Sequence, residues 1–147
     1  MNKEETINII EYVREAHIEQ LEKVQLLSEG KHVENLTPVS KMKCQFGTWL
    51  YGDKEGVKNI LGVQFYENLD MIHEAWHIQY AKIHAIFVHE KDEGFFSKFF
   101  GIHKINDLEL ERSKVYYKEL EHITKDLLRV LDASQRRVQA LNESKFH

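Results

Sequence analysis

Apolar residues recur every three or four positions along most of this chain, and that period predicts helices. From Lys3 to about Ser28, Ile10, Val13, Leu21 and Val24 share one face with His17, while Glu4, Glu5, Glu11, Glu15, Glu19 and Glu22 fill much of the rest. Gly30 supplies a stop, because a left-handed residue after the last turn satisfies the final carbonyls. A second helix is predicted from about Val63 to His89, where Phe65, Leu69, Ile72, Trp76, Tyr80, Ile83 and Phe87 form a continuous stripe. A third is predicted from about Ile105 to Leu141, with Leu108, Val115, Leu120, Ile123, Leu127, Leu131, Ser134 and Val138 on its inner face.

The stretch from 29 to 56 is less regular. Thr37-Pro38 begins a turn or a short helix, since proline suits a first helical turn. Cys44 to Tyr51 reads as a short helix with Phe46, Trp49 and Leu50 packed inward, ended by Gly52-Asp53 and followed by a loop through Gly56. Gly47, lacking a Cβ, would let that helix approach another closely. The connector from Lys91 to Lys104 carries Phe95, Phe96, Phe99 and Phe100, which either cap the protein's own core or offer a contact surface. With one proline and seven glycines in the whole chain, long helices are favoured over many short strands. The expectation is an all-α fold: an antiparallel bundle of about four helices, three long and one short and cysteine-bearing, forming a single domain over residues 1–147.

Charge and composition narrow the function. A formal net charge of −4 with no basic run argues against nucleic-acid binding. No stretch approaches the roughly 18 apolar residues of a membrane span. Met1-Asn2-Lys3-Glu4-Glu5 lacks the basic head and apolar block of a secretory signal, which with a single cysteine points to the cytoplasm.

The chemistry lies in polar residues that interrupt the apolar pattern. His17 sits within the stripe of the first helix, so a polar ring is aimed at the core. His73 and His77 stand one turn apart, beside the stripe of the second, so both imidazoles can reach one ion. Cys44 is the only cysteine: it can be a redox centre, a nucleophile, a metal ligand or a small buried apolar group. Alone, each has a bland explanation, and nine histidines in 147 residues make chance pairs common. Together, His17, Cys44, His73 and His77 match a closed tetrahedral zinc shell of three imidazoles and one thiolate. Asp70 and Glu74 flank the pair and are placed to orient an imidazole through its second N–H; His84, seven residues after His77, is a further group that could approach the site. His32, His89, His103, His122 and His147 are expected to be exposed. A shell filled by protein leaves no position for a reacting water, and the chain has no nucleotide loop, paired-carboxylate motif or serine-nucleophile signature, so a regulatory role is expected rather than an enzyme.

These residues carry a resemblance. A histidine, Cys44-Gln45-Phe46-Gly47-Thr48-Trp49 and then His73-Glu74-Ala75-Trp76-His77, in that order and at compatible gaps, resemble the chemoreceptor zinc-binding (CZB) domain family over residues 17–77. The resemblance implies that His17, Cys44, His73 and His77 bind zinc in the core of a helical bundle. It also implies a role in bacterial signalling of the chemotaxis or cyclic-di-GMP kind, sensing zinc or an oxidant such as hypochlorous acid through the zinc thiolate. Family members form homodimers and usually sit beside an output domain such as a chemoreceptor signalling region or a diguanylate cyclase. This chain has no room for either and looks like a stand-alone member or a fragment. Two departures are visible. The family often has tryptophan three residues after the first histidine, where this chain has Gln20, and Trp76 is then available to fill that space; the phenylalanine-rich connector and long last helix exceed a minimal domain.

Two other readings differ in class. A hemerythrin-like di-iron bundle also uses His-x-x-x-His, but it would have to recruit His84, His122, Glu74 and Asp107 and would leave Cys44 idle. A metal-free helical interaction protein would make every histidine incidental. Elemental analysis separates the three as about one zinc, about two irons, or no metal per chain.

Overall fold

The computed structural model describes residues 1–88 and 105–146, and among them the chain is all-helical, with no strand. Five α-helices follow one another: α1 (Lys3–Ser28), α2 (Gln45–Gly52), α3 (Lys54–Leu61), α4 (Val63–Phe87) and α5 (Asp107–Ala140), with a 3-10 turn at Glu143–Lys145. The Phe95–Phe100 connector and His89, His103 and His147 lie outside the described residues. No described helix is long and apolar enough to cross a membrane.

Local chemistry sets the boundaries. Asn2 and Asn106 each accept from the amide three residues on, Glu5 and Glu109, whose carboxylates return to the asparagine N–H. Such reciprocal caps satisfy two backbone donors that would otherwise lack partners, and each capping side chain stabilises its helix by about 1 kcal/mol. At the other end of α1, Gly30 takes φ +81°, and the amides of Gly30 and Lys31 bond back to the carbonyls of Leu27 and Leu26. Gly30 is therefore the stop its position predicted.

The three long helices match their predicted spans closely; α3 was not predicted. Gly52-Asp53 and Gly56 read as a loop, yet Asp53 accepts from the Gly56 amide at 3.2 Å and caps a new helix that buries Val57 and Leu61. The inner face of α5 also differs in its first turns. Leu108 and Val115 are exposed, and the buried row runs through Ser113, Tyr117, Leu120, Thr124, Leu127, Leu131, Ser134 and Val138. Ser113, Thr124 and Ser134 fit that row because their hydroxyls bond to the carbonyls of Leu110, Leu120 and Val130.

Helix α5 packs along both α1 and α4. On α1, Lys3 meets the Leu141 carbonyl, Glu11 meets Gln135 and Arg14 meets Asp132, so the two helices run in opposite directions. On α4, Trp76 Nε1 donates to Thr124 Oγ1 at 2.9 Å and Gln79 donates to the Tyr116 carbonyl, which reverses direction again. Between these helices lies one apolar cluster that includes Ile10, Val13, Val24, Leu50, Leu69, Trp76, Tyr80, Leu120 and Leu127.

Candidate metal centre

The segment joining α1 to α2 forms no helix after Thr37-Pro38; it turns at Lys41–Lys43 and lies as a strap along α4. As the strap advances, its partners on α4 retreat. The Thr37 carbonyl accepts from Tyr80 Oη at 2.7 Å, the Val39 carbonyl from His77 Nδ1 at 2.8 Å, and Lys41 Nζ contacts Asp70 at 3.1 Å. From α1, Gln20 Oε1 accepts from the Thr37 amide at 3.0 Å, and Gln20 Nε2 reaches the carbonyl of Asn35, which holds φ +59°. Gln20 thus secures the strap, and Trp76 is the tryptophan that packs near His17, its ring centroid 5.0 Å away.

The strap delivers Cys44 to the N-terminus of α2, where it is the cap rather than the first helical residue. Its Sγ accepts from the Gly47 amide at 3.3 Å. The close approach expected at Gly47 is real, but its partner is the strap backbone and not another helix. A Cβ on Gly47 would come within 1.6 Å of the Lys41 carbonyl oxygen. Phe46 and Leu50 are buried and Trp49 partly so, as the apolar pattern of α2 predicts.

His17, His73 and His77 are all buried, and each offers a ligand atom within 4.8 Å of the others. Among the described residues they make up the one such group of three or more metal-ligating side chains. Cys44 joins them through His73, with Sγ 3.2 Å from Nε2. The four residues that the sequence singled out are therefore brought together, one from α1, one from the start of α2 and two from α4.

Each imidazole is anchored through the same atom. His17 Nδ1 donates to the Val13 carbonyl at 2.9 Å, His77 Nδ1 to the Val39 carbonyl at 2.8 Å, and His73 Nδ1 lies 3.4 Å from Tyr51 Oη. A ring that donates from Nδ1 carries its lone pair on Nε2, so His17 and His77, whose partners are carbonyls, present the atom a metal needs. His77 Nε2 is buried and has no hydrogen-bond partner. Leaving such an atom unpartnered costs about 1–3 kcal/mol, and a metal ion in the cluster would remove that cost.

Electrostatics agree with the geometry. Burial pushes the His17 pKa down to about 4, and the nearby His77 adds to the effect despite the Val13 carbonyl. Burial, reinforced by His77, His17 and Lys41, pushes His73 down to about 2; burial also lowers His77. The rings stay neutral, as metal ligands must. For Cys44, burial raises the thiol pKa and outweighs the lowering by the Gly47 and Phe46 amides. Without a cation its sulfur stays protonated; a divalent cation in the cluster favours the thiolate.

The carboxylates do not touch the imidazoles directly. Asp70 Oδ1 accepts from Tyr51 Oη at 2.6 Å, and Tyr51 is the residue that meets His73. Glu74 pairs with Lys41 at 3.8 Å. His84 packs edge-on to Tyr80 and does not enter the cluster, while His32 and His122 are exposed. Tyr51, Lys41 and the Val39 carbonyl were not foreseen. Tyr51 stands seven residues after Cys44, two turns along the same helix face, and that spacing was the available signal.

A cleft of about 450 Å³ opens between α1 and the strap, and His17, Cys44, Phe46 and Trp76 are among the residues that line it. It brings two of the four candidate ligands to the edge of space that a small molecule can enter.

The described residues thus gather three neutral imidazoles and one cysteine sulfur that can hold a metal ion. Comparison with known proteins supplies no relative: no family model, curated protein or solved structure matches the chain.

Proposed function

We propose that this protein is a zinc-binding regulator, a stand-alone member of the CZB family, in which His17, Cys44, His73 and His77 form a tetrahedral site inside an antiparallel helical bundle. The observation that carries the reading is the convergence of three buried imidazoles, whose ligand atoms lie within 4.8 Å of one another, on a cysteine sulfur. Two of the imidazoles are anchored through Nδ1 to backbone carbonyls, which leaves their Nε2 atoms free for a metal, and His73 Nε2 lies 3.2 Å from the cysteine sulfur. A set of three nitrogens and one sulfur suits zinc, which takes four ligands and tolerates mixed nitrogen and sulfur. Harder cations such as magnesium prefer oxygen.

With four protein ligands the site has no vacancy for a reacting water, so its role is regulatory and not catalytic. When bound, zinc holds Cys44 as a thiolate. Two inputs can act there. Zinc supply sets occupancy, and occupancy ties α1, the strap and α4 together. An oxidant such as hypochlorous acid, entering by the cleft beside Cys44, takes two electrons from the sulfur; the sulfur becomes a sulfenic acid, chlorine leaves as chloride, and one ligand is lost. The output would pass through a protein partner of bacterial signalling, of the chemoreceptor or diguanylate cyclase kind, with the protein acting as a homodimer in the cytoplasm.

The test is zinc release. Zinc-loaded protein is mixed with one equivalent of hypochlorous acid, and free zinc is followed with a chromophoric chelator. Release from wild type with formation of a Cys44 sulfenic acid supports the oxidant input. Zinc retained after Cys44 has been oxidised excludes that input and leaves zinc supply as the signal.

A hemerythrin-like site finds no support in the geometry. Glu74 is engaged by Lys41, and His122 and Asp107 are exposed on α5.

A further inference from the structure

The metal cluster has an outer partner whose role follows from its hydrogen bonds. Tyr51, near the end of α2, places its hydroxyl between two groups of α4. It donates to Asp70 Oδ1 at 2.6 Å, and its oxygen faces His73 Nδ1 at 3.4 Å. A hydroxyl has one hydrogen. Once that hydrogen is given to Asp70, the oxygen can only accept, so it requires the proton of His73 to be on Nδ1. Asp70 therefore decides the direction of the chain, and the direction decides which nitrogen of His73 carries the lone pair.

Lys41 fixes Asp70 in turn. Its Nζ contacts Asp70 Oδ1 at 3.1 Å and Glu74 at 3.8 Å, and it lies 5.2 Å from the centre of the Tyr51 ring. Lys41 also holds the other side of the site through its backbone. Its carbonyl is 3.5 Å from Cys44 Sγ and faces the bare Cα of Gly47. One residue of the strap thus braces both Cys44 and, through Asp70 and Tyr51, His73.

His17 and His77 do not need such help. Their Nδ1 atoms are held by main-chain carbonyls, which can only accept. His73 alone is held by a group that can donate or accept, so its tautomer is set by an interaction rather than by the backbone.

We infer that Tyr51 is a positioning residue of the metal centre: oriented by the Lys41–Asp70 pair, it holds His73 in the tautomer that presents Nε2 beside Cys44. This rests on the metal-site reading for its purpose, but the tautomer itself is a property of the metal-free chain and is tested separately.

The experiment uses Tyr51→Phe in the full chain. The change keeps the ring and removes one oxygen. In metal-free protein at pH 7.5 or so, ¹⁵N-edited NMR distinguishes a ring protonated on Nδ1 from one protonated on Nε2. Wild type is expected to show His73 with its proton on Nδ1, and Tyr51→Phe a mixture of both tautomers, with His17 and His77 unchanged. Zinc affinity, measured by chelator competition, is expected to fall about 10–100-fold in Tyr51→Phe, and by a smaller factor in Asp70→Ala, where the hydroxyl remains but loses its orientation. An unchanged His73 tautomer in Tyr51→Phe overturns the inference, and so does zinc affinity within twofold of wild type. Wild type that binds no zinc at all overturns the metal-site reading instead, and the NMR result still decides the role of Tyr51.

Discussion

The His77 ring donates from Nδ1 to the carbonyl of Val39, a residue 38 positions earlier in the chain, at 2.8 Å. One side chain therefore does two things: it pins the strap between α1 and α2, and it keeps a buried, unpartnered Nε2 in the cluster shared with His17 and His73. Strap and site are the same structure seen from two sides. Tyr80 and Gln20 hold Thr37, His77 holds Val39, Asp70 holds Lys41, and Cys44 ends the run beside His73.

Metal removal should loosen the strap before it loosens the bundle. Segments 31–43 have no backbone ladder of their own, whereas the long helices carry their hydrogen bonds internally and pack on the apolar core. Hydrogen exchange followed by mass spectrometry should show amides of residues 37–44 exchanging faster after chelation, with α5 unchanged. Equal protection of the strap with and without metal would separate strap order from the site.

Gly47→Ala should damage both the fold and the site. The new Cβ would overlap the Lys41 carbonyl oxygen, which is main chain and cannot rotate away. The strap or α2 must move, and overpacking of this kind costs about 1–3 kcal/mol. Urea denaturation of metal-free protein should register that loss, and zinc affinity should fall with it, because Cys44 and Lys41 lie on the two sides of the clash. Wild-type stability in this variant would mean that the strap has another position open to it.

Thr124→Val should act on the site from the far side of α4. Thr124 Oγ1 accepts from Trp76 Nε1 at 2.9 Å while donating to the Leu120 carbonyl, and Trp76 packs edge-on to both His17 and His77. Removing the hydroxyl leaves a fully buried indole N–H without a partner, which costs about 1–3 kcal/mol. Thermal unfolding should show a lower midpoint, and the tryptophan emission of metal-free protein should change. A neutral effect would mean that the indole finds water or another acceptor.

Much of this was legible in the sequence, and the reasons differ by element. The long helices were, because their apolar residues repeat over six or more turns. That His17, His73 and His77 would meet inside was legible too, because polar residues on apolar faces are costly unless partnered. Helix α3 was hidden by Asp53 and Gly56, residues that mark a turn and equally an N-cap and its first turn. The first turns of α5 were misread because Leu108 and Val115 fit a helical period but face outward, while Ser113 is the buried residue. The outer partners were least legible. Lys41 and the Val39 carbonyl act through a strap whose path depends on long-range contacts, and no local period encodes it.

The central claim is that His17, Cys44, His73 and His77 hold one zinc ion, and metal content tests it most directly. Protein purified without added metal, and the Cys44→Ala and His77→Ala variants prepared alongside, are analysed by inductively coupled plasma mass spectrometry, with circular dichroism to establish that each variant is helical. The account predicts about one zinc per wild-type chain and no iron, and zinc reduced to a small fraction of that in both folded variants. Zinc absent from wild type even after incubation with the metal, or retained in full by folded Cys44→Ala, would contradict it.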